Sequence, residues 1–379
     1  MASKTLFIIA GEASGDLLGA KLMAELKTVS TEPVQFSGIG GPQMIEQGLQ
    51  SFFPMTDLSV MGVFEVFKHL PRLIKRFNQT VNAILAQNPE ILITIDAPDF
   101  GLRVAKKIKK LRPEIKLIHY VAPTVWAWRP GRAEKIAQFL DGLLCLFPFE
   151  PPYFKKHGLK AKFVGHSLTR DIPEITEQQK KEFYAEHALD ASKPILCLLP
   201  GSRIREIESL GPAMLETAQH LKNNIPELQI ILPTMPHVIE RLAAFREIAK
   251  VFIPKNNLEK YIAFSISRAA LHASGTVALE LALCGLPMVT IYKMNALSAW
   301  VAKFLIKTPY ANLVNILLRH PVVPELIQEK MTISNMITTT QALLTNDTLH
   351  DIQLKQLEQV KQYLQESEPQ SAARFILSL

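Results

Sequence analysis

An alternation of two kinds of segment constrains this chain most. Short apolar runs that end in small or polar residues are each followed by a longer stretch whose apolar positions have helical spacing. Strands are predicted near 5–10, 35–39, 91–97, 116–122, 142–147 and 162–166, and again near 195–199, 229–233, 250–254, 269–273 and 287–292. Amphipathic helices, among them 16–27, 101–111, 205–223 and 276–284, fall between them. Strands that are apolar throughout and joined by helices belong to parallel sheets covered on both faces. So many strands crowd one open twisted sheet, which rarely exceeds roughly ten. At 379 residues the chain also outgrows a single core. The predicted fold is α/β, with two doubly wound parallel sheets. Their boundary is expected within 168–193, where Asp171-Ile172-Pro173 and a polar helix from Thr176 to His187 break the pattern. This gives a first domain over 1–169 and a second over 170–351, followed by a Gln-rich helical tail. The tail ends in Ala372 to Leu379, whose apolar residues need a surface to cover.

Several function classes drop out. A bilayer span takes about 20 mainly apolar residues, and no stretch reaches that without charges or Pro/Gly breaks. The run Thr5 to Ala10 is too short for a signal h-region and reads as a first buried strand. Cys145, Cys197 and Cys284 form no CxxC pair and sit among apolar residues, as core thiols of a reducing compartment do. His119, His166 and His272 have no ligand-type neighbour at metal-binding spacing, so no protein-held metal is expected. The net charge of +7 is uneven: residues 1–170 hold 22 Lys/Arg against 14 Asp/Glu, and the remainder holds 20 against 21. An anionic partner should therefore meet the first half.

Ligands of open parallel sheets bind beyond the carboxyl ends of the strands. With two sheets facing each other, the cleft between them is the expected site. Gly11-Glu12-Ala13-Ser14-Gly15-Asp16 follows the first strand. It reads equally as a loop that meets a phosphate or sugar, or as a turn with Ser14 or Asp16 as N-cap. Its two acids favour hydroxyl groups over phosphate, which makes Glu12, Ser14, Gly15 and Asp16 candidates for contact with a hydroxyl-bearing ligand. A second small-residue turn, Gly38 to Pro42, follows the next strand. Ile91 to Phe100 carries Asp96 to the end of a buried strand as a candidate general base, while Asp99 suits a helix cap. His119 to Arg129 places Trp126 and Trp128 beside Arg129, a set suited to sugar or nucleotide contact and equally to packing.

The second half offers two anion-type loops. Leu199-Pro200-Gly201-Ser202-Arg203 lies between a buried strand and a helix, where N–H groups and a guanidinium would hold a diphosphate. Ser274, Gly275 and Thr276 open another helix, with Glu280 one turn further on the same face to accept from ribose hydroxyls. Each loop alone could be a simple cap; together they favour a nucleoside diphosphate.

The segment Leu58 to Phe77 is apolar yet interleaved with Lys68, Arg72, Lys75 and Arg76 around Pro71. A core helix is one reading. The other is an interfacial segment in which Met61, Val63, Phe64 and Phe67 enter lipid and the cations meet anionic headgroups. Trp300 to Lys307 is a weaker candidate of the same kind.

The motifs GEASGD (11–16), GIGGPQM (38–44), VMGVFEV (60–66), IDAPDF (95–100), HYVAPTVWAWR (119–129), FVGHSL (163–168), LPGSR (199–203) and ASGTVALE (273–280) together resemble the bacterial lipid-A-disaccharide synthase family. The resemblance runs over nearly the whole chain. It implies a GT-B glycosyltransferase of family 19, with two Rossmann-like domains and a C-terminal helix, about 352–379, returning to the first. It further implies a UDP-2,3-diacylglucosamine donor, a 2,3-diacylglucosamine 1-phosphate (lipid X) acceptor, and a β-1,6-linked disaccharide 1-phosphate product. By motif, Asp96 is the base, Arg203 binds the diphosphate, and Asn315 matches an asparagine near the donor. Val314 stands where the family usually has Pro, and Ile204 where it has Gly. No cofactor is implied. The expected setting is the cytoplasm, at the anionic inner face of the cytoplasmic membrane, with a homodimer left open. Two rivals are a UDP-sugar 2-epimerase of the same architecture and a nucleic-acid-binding protein drawn by the basic first half. A solvated lysine-rich helix over 103–116 accounts for that charge without nucleic acid.

Overall fold

The computed structural model describes residues 3–58, 63–294, 308–365 and 368–379, with the backbone alone for 63–69. Two compact units result, Met1–His166 with Glu366–Leu379, and Ser167–Gln365. Among the described residues the first holds seven strands: β1 (Lys4–Ala10), β2 (Val34–Ile39), β3 (Gln50–Ser51), β4 (Ile91–Ile95), β5 (Lys116–Tyr120), β6 (Gly142–Cys145) and β7 (Lys160–Phe163). They pair in the order β3-β2-β1-β4-β5-β6-β7, all parallel. The second unit holds β8 (Ile195–Leu199), β9 (Gln229–Pro233), β10 (Lys250–Phe252), β11 (Ala269–Ala273), β12 (Met288–Tyr292) and β13 (Glu325–Ile327). Their order is β10-β9-β8-β11-β12-β13, again all parallel.

Alternation of side chains along each strand feeds two cores per sheet. In the first unit Phe7, Ile9, Leu92 and Leu117 pack against Ile84 of the helix Val63–Gln87 and Leu102, Val104 and Ile108 of Pro98–Leu111. On the other face Leu6, Ile8, Ile93 and Leu144 meet Leu22, Met23 and Leu26 of Ala13–Val29. In the second unit Leu196, Leu198, Ile230 and Leu271 pack with Leu210, Met214 and Leu221 of Ile204–Asn224 and with Met336 of Ile333–Thr345. The polar helix predicted from Thr176 forms as Glu177–Glu186, held by a capping box between Thr176 and Gln179. The basic helix Pro98–Leu111 buries Leu102, Val104, Ala105 and Ile108 and turns Arg103, Lys106, Lys107 and Lys110 to solvent. That is the solvated face of an amphipathic helix.

The tail divides, in place of the single returning helix over about 352–379. Asp347–Leu364 stays with the second unit because Leu357, Val360 and Leu364 are fully buried there. Gln353 accepts from Met288 N–H and donates to the Val322 carbonyl, tying that helix to the start of β12. Among the described residues of the tail, the short helix Ser371–Leu377 returns to the first unit, packing Ala372, Ala373 and Ile376 beside Leu6 and Leu22. No helix among the described residues is long and apolar enough to cross a membrane.

Burying a leucine fully contributes about 1.5–3 kcal/mol, and truncating one costs more because a cavity remains. Leu357→Ala is expected to destabilise the second unit by about 2–5 kcal/mol. Hydrogen exchange should show lost protection in β11 and β12 with β1 and β4 unchanged.

Candidate active site

Both sheets reverse their winding once. The chain leaves β1 in one direction and β4 in the other, although the two strands are hydrogen-bonded neighbours. The same holds for β8 and β11. At such a switch point the adjoining loops diverge and leave a crevice at the carboxyl ends. The four loops singled out from sequence, beginning at Gly11, Asp96, Gly201 and Ser274, stand at these two points.

In the first unit Gly15 seats the start of its helix against the sheet: a Cβ there would lie 3.3 Å from Ala10 Cβ and 3.4 Å from the Ile95 carbonyl oxygen. Ser14 Oγ donates to Asp96 Oδ2 at 2.8 Å, and Ala97 N–H donates to Asp96 Oδ1 at 2.9 Å. Asp96 and Ala97 are both left-handed, with φ of +50° and +35°, while Asp96 N–H still donates to the Tyr120 carbonyl at 2.9 Å. A non-glycine residue held there costs of order 1–3 kcal/mol, and such strain concentrates at functional positions. It turns the half-buried carboxylate toward the loop that follows β1.

Asp16 has a different task from the one expected. Its carboxylate is buried and accepts from the N–H groups of Gly41 at 2.8 Å, Met44 at 3.0 Å and Gln43 at 3.1 Å. It joins the turn after β1 to the turn after β2 through these backbone donors. Neither Ser14 nor Asp16 is the N-cap of Ala13–Val29; Glu12 occupies that position without a side-chain cap.

Trp126 is half-buried, with Nε1 donating to Glu150 Oε1 at 3.2 Å and its ring edge-on to Phe149 at 5.3 Å. Glu150 was not anticipated from the sequence. Its Oε2 accepts from Leu146 N–H at 3.1 Å and Phe147 N–H at 3.0 Å, so one carboxylate links the loops after β5 and β6. Burial pushes its carboxyl up to about 7, against the downward pull of these donors. Trp128 is exposed and carries the Arg129 guanidinium over its ring at 4.3 Å.

His119 and His272 are core residues. His119 Nδ1 pairs with Thr94 Oγ1 at 2.7 Å, and burial, reinforced by the charge of Arg132, holds it neutral with a pKa of about 3. His272 bonds the Ala273 carbonyl and Thr290 Oγ1, both at 2.8 Å, and burial lowers it to about 4. Cys145 and Cys197 are buried, and burial raises both thiols far above their ordinary value. Among the described residues Glu186, His187 and Glu259 gather ligand-type atoms, but the Lys255 ammonium pairs with Glu186 there.

The second unit carries a cavity of about 430 Å³, lined by Gly201, Ser202, Arg203, Glu206, Lys260, Ser274, Gly275, Thr276 and Glu280 together with Pro233–Met235 and Pro254. Gly201 is left-handed at φ +117°. Arg203 is exposed, and its Nη1 donates to Glu206 Oε1 at 3.0 Å. Ser274 Oγ donates to the Ala311 carbonyl at 3.2 Å, while Thr276, at the head of Val277–Leu283, makes no side-chain cap. Glu280 is ion-paired to Lys260, whose Nζ also lies 4.8 Å over the Tyr261 ring.

Asn315 is not brought to this cavity. It is fully buried, and its amide is spent on the Val323 carbonyl at 2.8 Å, Val323 N–H at 2.8 Å and Glu325 Oε1 at 2.7 Å. Val314 donates its N–H to Asn312 Oδ1 at 2.7 Å, and Ile204 is exposed. Of the lipid-contact candidates, Met61 and Trp300 to Lys307 lie outside the described residues, as do the side chains of Val63, Phe64, Phe67 and Lys68. Arg76 is tied inward, donating to Asp57 Oδ2 from Nε at 2.8 Å, with its guanidinium 4.5 Å over the Phe53 ring. Arg72 lies 3.8 Å from Asp57, and Lys75, Leu70 and Ile74 are exposed.

Two Rossmann-like parallel sheets, each with its loops at one switch point, define the GT-B class of fold. Solved structures agree on the fold: UDP-GlcNAc 2-epimerase from Neisseria meningitidis superimposes with a TM-score of 0.63 at 12% identity, covering 100% of this chain and 99% of that one. MurG of Acinetobacter baumannii gives 0.56 at 11%, covering 99% and 100%. At such identities the likeness shows the fold alone. The lipid-A-disaccharide synthetase family model matches residues 6–378. A lipid-A-disaccharide synthase of Rhodospirillum centenum is 43% identical over 363 residues, 95% of this chain and 90% of that protein. The chain belongs to the lipid-A-disaccharide synthase family and is a glycosyltransferase.

The Glu150 carboxyl carries a prediction. An ordinary glutamate releases its proton near 4.5, whereas folded Glu150 keeps it to about 7. Between these values the native state binds more protons than the unfolded chain, so Glu150 makes stability fall as pH rises through that window. Glu150→Gln should flatten the decline, read from denaturant midpoints at pH 5, 6, 7 and 8. Parallel curves for the two proteins would contradict the assignment.

Proposed function

We propose that this protein joins UDP-2,3-diacylglucosamine to 2,3-diacylglucosamine 1-phosphate, lipid X, and releases UDP with the β-1,6 disaccharide 1-phosphate. One observation carries the reading: Asp96, held in a strained backbone with Ser14 on its carboxylate, stands at one switch point, and a 430 Å³ cavity lined by Gly201–Arg203 and Ser274–Thr276 stands at the other. The acceptor is assigned to the first unit and the donor to the second.

Making a β bond from an α-linked nucleotide sugar inverts the anomeric carbon, so a single in-line displacement suffices. Asp96 takes the proton of the acceptor 6-hydroxyl as the new bond forms. Ser14 fixes the direction of the carboxylate that receives it. UDP leaves with growing negative charge, which Arg203 and the N-terminus of the 21-residue helix Ile204–Asn224 stabilise. Glu280, steadied by Lys260, accepts from ribose hydroxyls. Trp126, fixed by Glu150, contributes an aromatic face to the acceptor side. The scheme assigns no cofactor or metal, and no nucleic acid enters it. The protein works at the inner face of the cytoplasmic membrane without spanning it. Leu70, Ile74 and Lys75, exposed on the helix Val63–Gln87, and the basic surplus of residues 1–170 support this placement.

Asp96→Asn keeps the shape and tolerates a left-handed backbone. It is expected to lower turnover by about 10²–10⁴ while UDP affinity stays the same. The measurement is UDP release with and without the diacylated acceptor. Near-normal turnover would remove Asp96 from the role, and release indifferent to acceptor would remove the transfer reaction. For the membrane, binding to vesicles containing anionic lipid should exceed binding to neutral ones, fall with salt, and weaken in Lys75→Glu. Equal binding to both kinds of vesicle would dispose of the electrostatic part.

A further inference from the structure

We propose that Glu206 is a positioning residue that competes with the diphosphate for its donors at the donor cavity and exchanges with it, so that UDP binding and UDP release are substitutions of one anion for another. The inference rests on reading this cavity as the UDP-sugar site. Glu206 lies in the first turn of Ile204–Asn224. Its Oε2 accepts from the N–H groups of Ser202 at 3.1 Å and Arg203 at 3.3 Å, and its Oε1 from Arg203 Nη1 at 3.0 Å. These are the donors assigned to the diphosphate, namely backbone N–H groups at a helix start and a guanidinium. Each N–H has one proton to give, and two anions sharing one set of donors repel. Glu206 and a diphosphate therefore hold these groups in turn.

The loop is shaped for the folded-back carboxylate. A Cβ at residue 201 would lie 2.6 Å from Glu206 Oε2 and 2.8 Å from Glu206 Cβ, so a side chain there would exclude this arrangement, and the φ of +117° disfavours one as well. The hold is nevertheless a weak one. The Arg203 side chain is 70% exposed, and solvent-screened ion pairs are held loosely. A diphosphate, with more oxygens and more charge, displaces the carboxylate. When the sugar has been transferred, Glu206 reclaims the donors and shortens the life of the UDP complex. Between turnovers it keeps Arg203 and the loop in the arrangement that the next donor needs.

Calorimetric titration with UDP, on the full chain, tests this in the wild type, Glu206→Gln, Glu206→Ala and Arg203→Ala. With the competing carboxylate gone, Glu206→Gln is expected to bind UDP roughly tenfold tighter. Steady-state rates should show a lower donor KM and stronger product inhibition by UDP. A residue needed only to keep the loop folded would move KM the other way. Comparing Glu206→Gln, which removes the charge alone, with Glu206→Ala, which removes charge and contact together, separates the two effects. UDP binding that is unchanged or weaker in both Glu206 variants, with Arg203→Ala weakened as expected, overturns the exchange and leaves the cavity assignment standing. No UDP binding by the wild type, or full binding by Arg203→Ala, overturns the cavity assignment itself.

Discussion

The pairing of strands that leave the chain in opposite directions is the constraint on which the rest of this structure depends. β1 with β4, and β8 with β11, form parallel ladders buried on both faces. A parallel ladder cannot be closed by a hairpin, so each strand must hand the chain to a helix at its carboxyl end. Where two neighbours hand it away to opposite sides, their loops part, and backbone N–H groups are left pointing into the space between them. The cavity of the second unit has its Gly201 and Ser-Gly-Thr loops because of this geometry. Asp96 owes its place to the same cause, one residue beyond β4 and beside the loop that follows β1.

Strain and satisfaction are distributed unequally around these points. The left-handed pair Asp96–Ala97 is maintained by bonds on both sides, through Asp96 N–H to β5 and through its carboxylate to Ser14 and Ala97. The buried histidines of the two sheets are neutral. His119 with Thr94, and His272 with Thr290, form the same histidine–threonine pair in the two units. In each case the pair supplies a polar contact inside an apolar sheet, which keeps neighbouring strands in register.

Much of the fold is legible in the sequence. Apolar runs such as 229–233 and 269–273 coincide with β9 and β11, and the cap at Thr176 marks its helix. The strands that are not legible are β3 and β13, of two and three residues. Segments that short have no period of their own and become strands only through the neighbour they pair with. The loops of the site could also be found, since glycine and small polar residues after an apolar run are a local signal. What individual side chains do within them depends on distant partners. Asp16 is committed to backbone 25 to 28 residues away, and Asn315 to residues 323 and 325 beyond the next turn. Glu150 left no signal, because its place is set by the donors it meets, the Trp126 indole and the Phe147 N–H.

The two units hold their strand-end loops with carboxylates of opposite character. Asp16 is enclosed, with three backbone donors and no solvent, whereas Glu206 lies half-open on a cavity wall beside an exposed arginine. The turns that Asp16 joins in the first unit are therefore already fixed, with little left to reorganise. The second unit keeps its mould filled until a stronger anion arrives, so its ordering entropy is spent before the ligand comes. A transferase that must grip one substrate steadily and let another's remnant go has use for one loop of each kind.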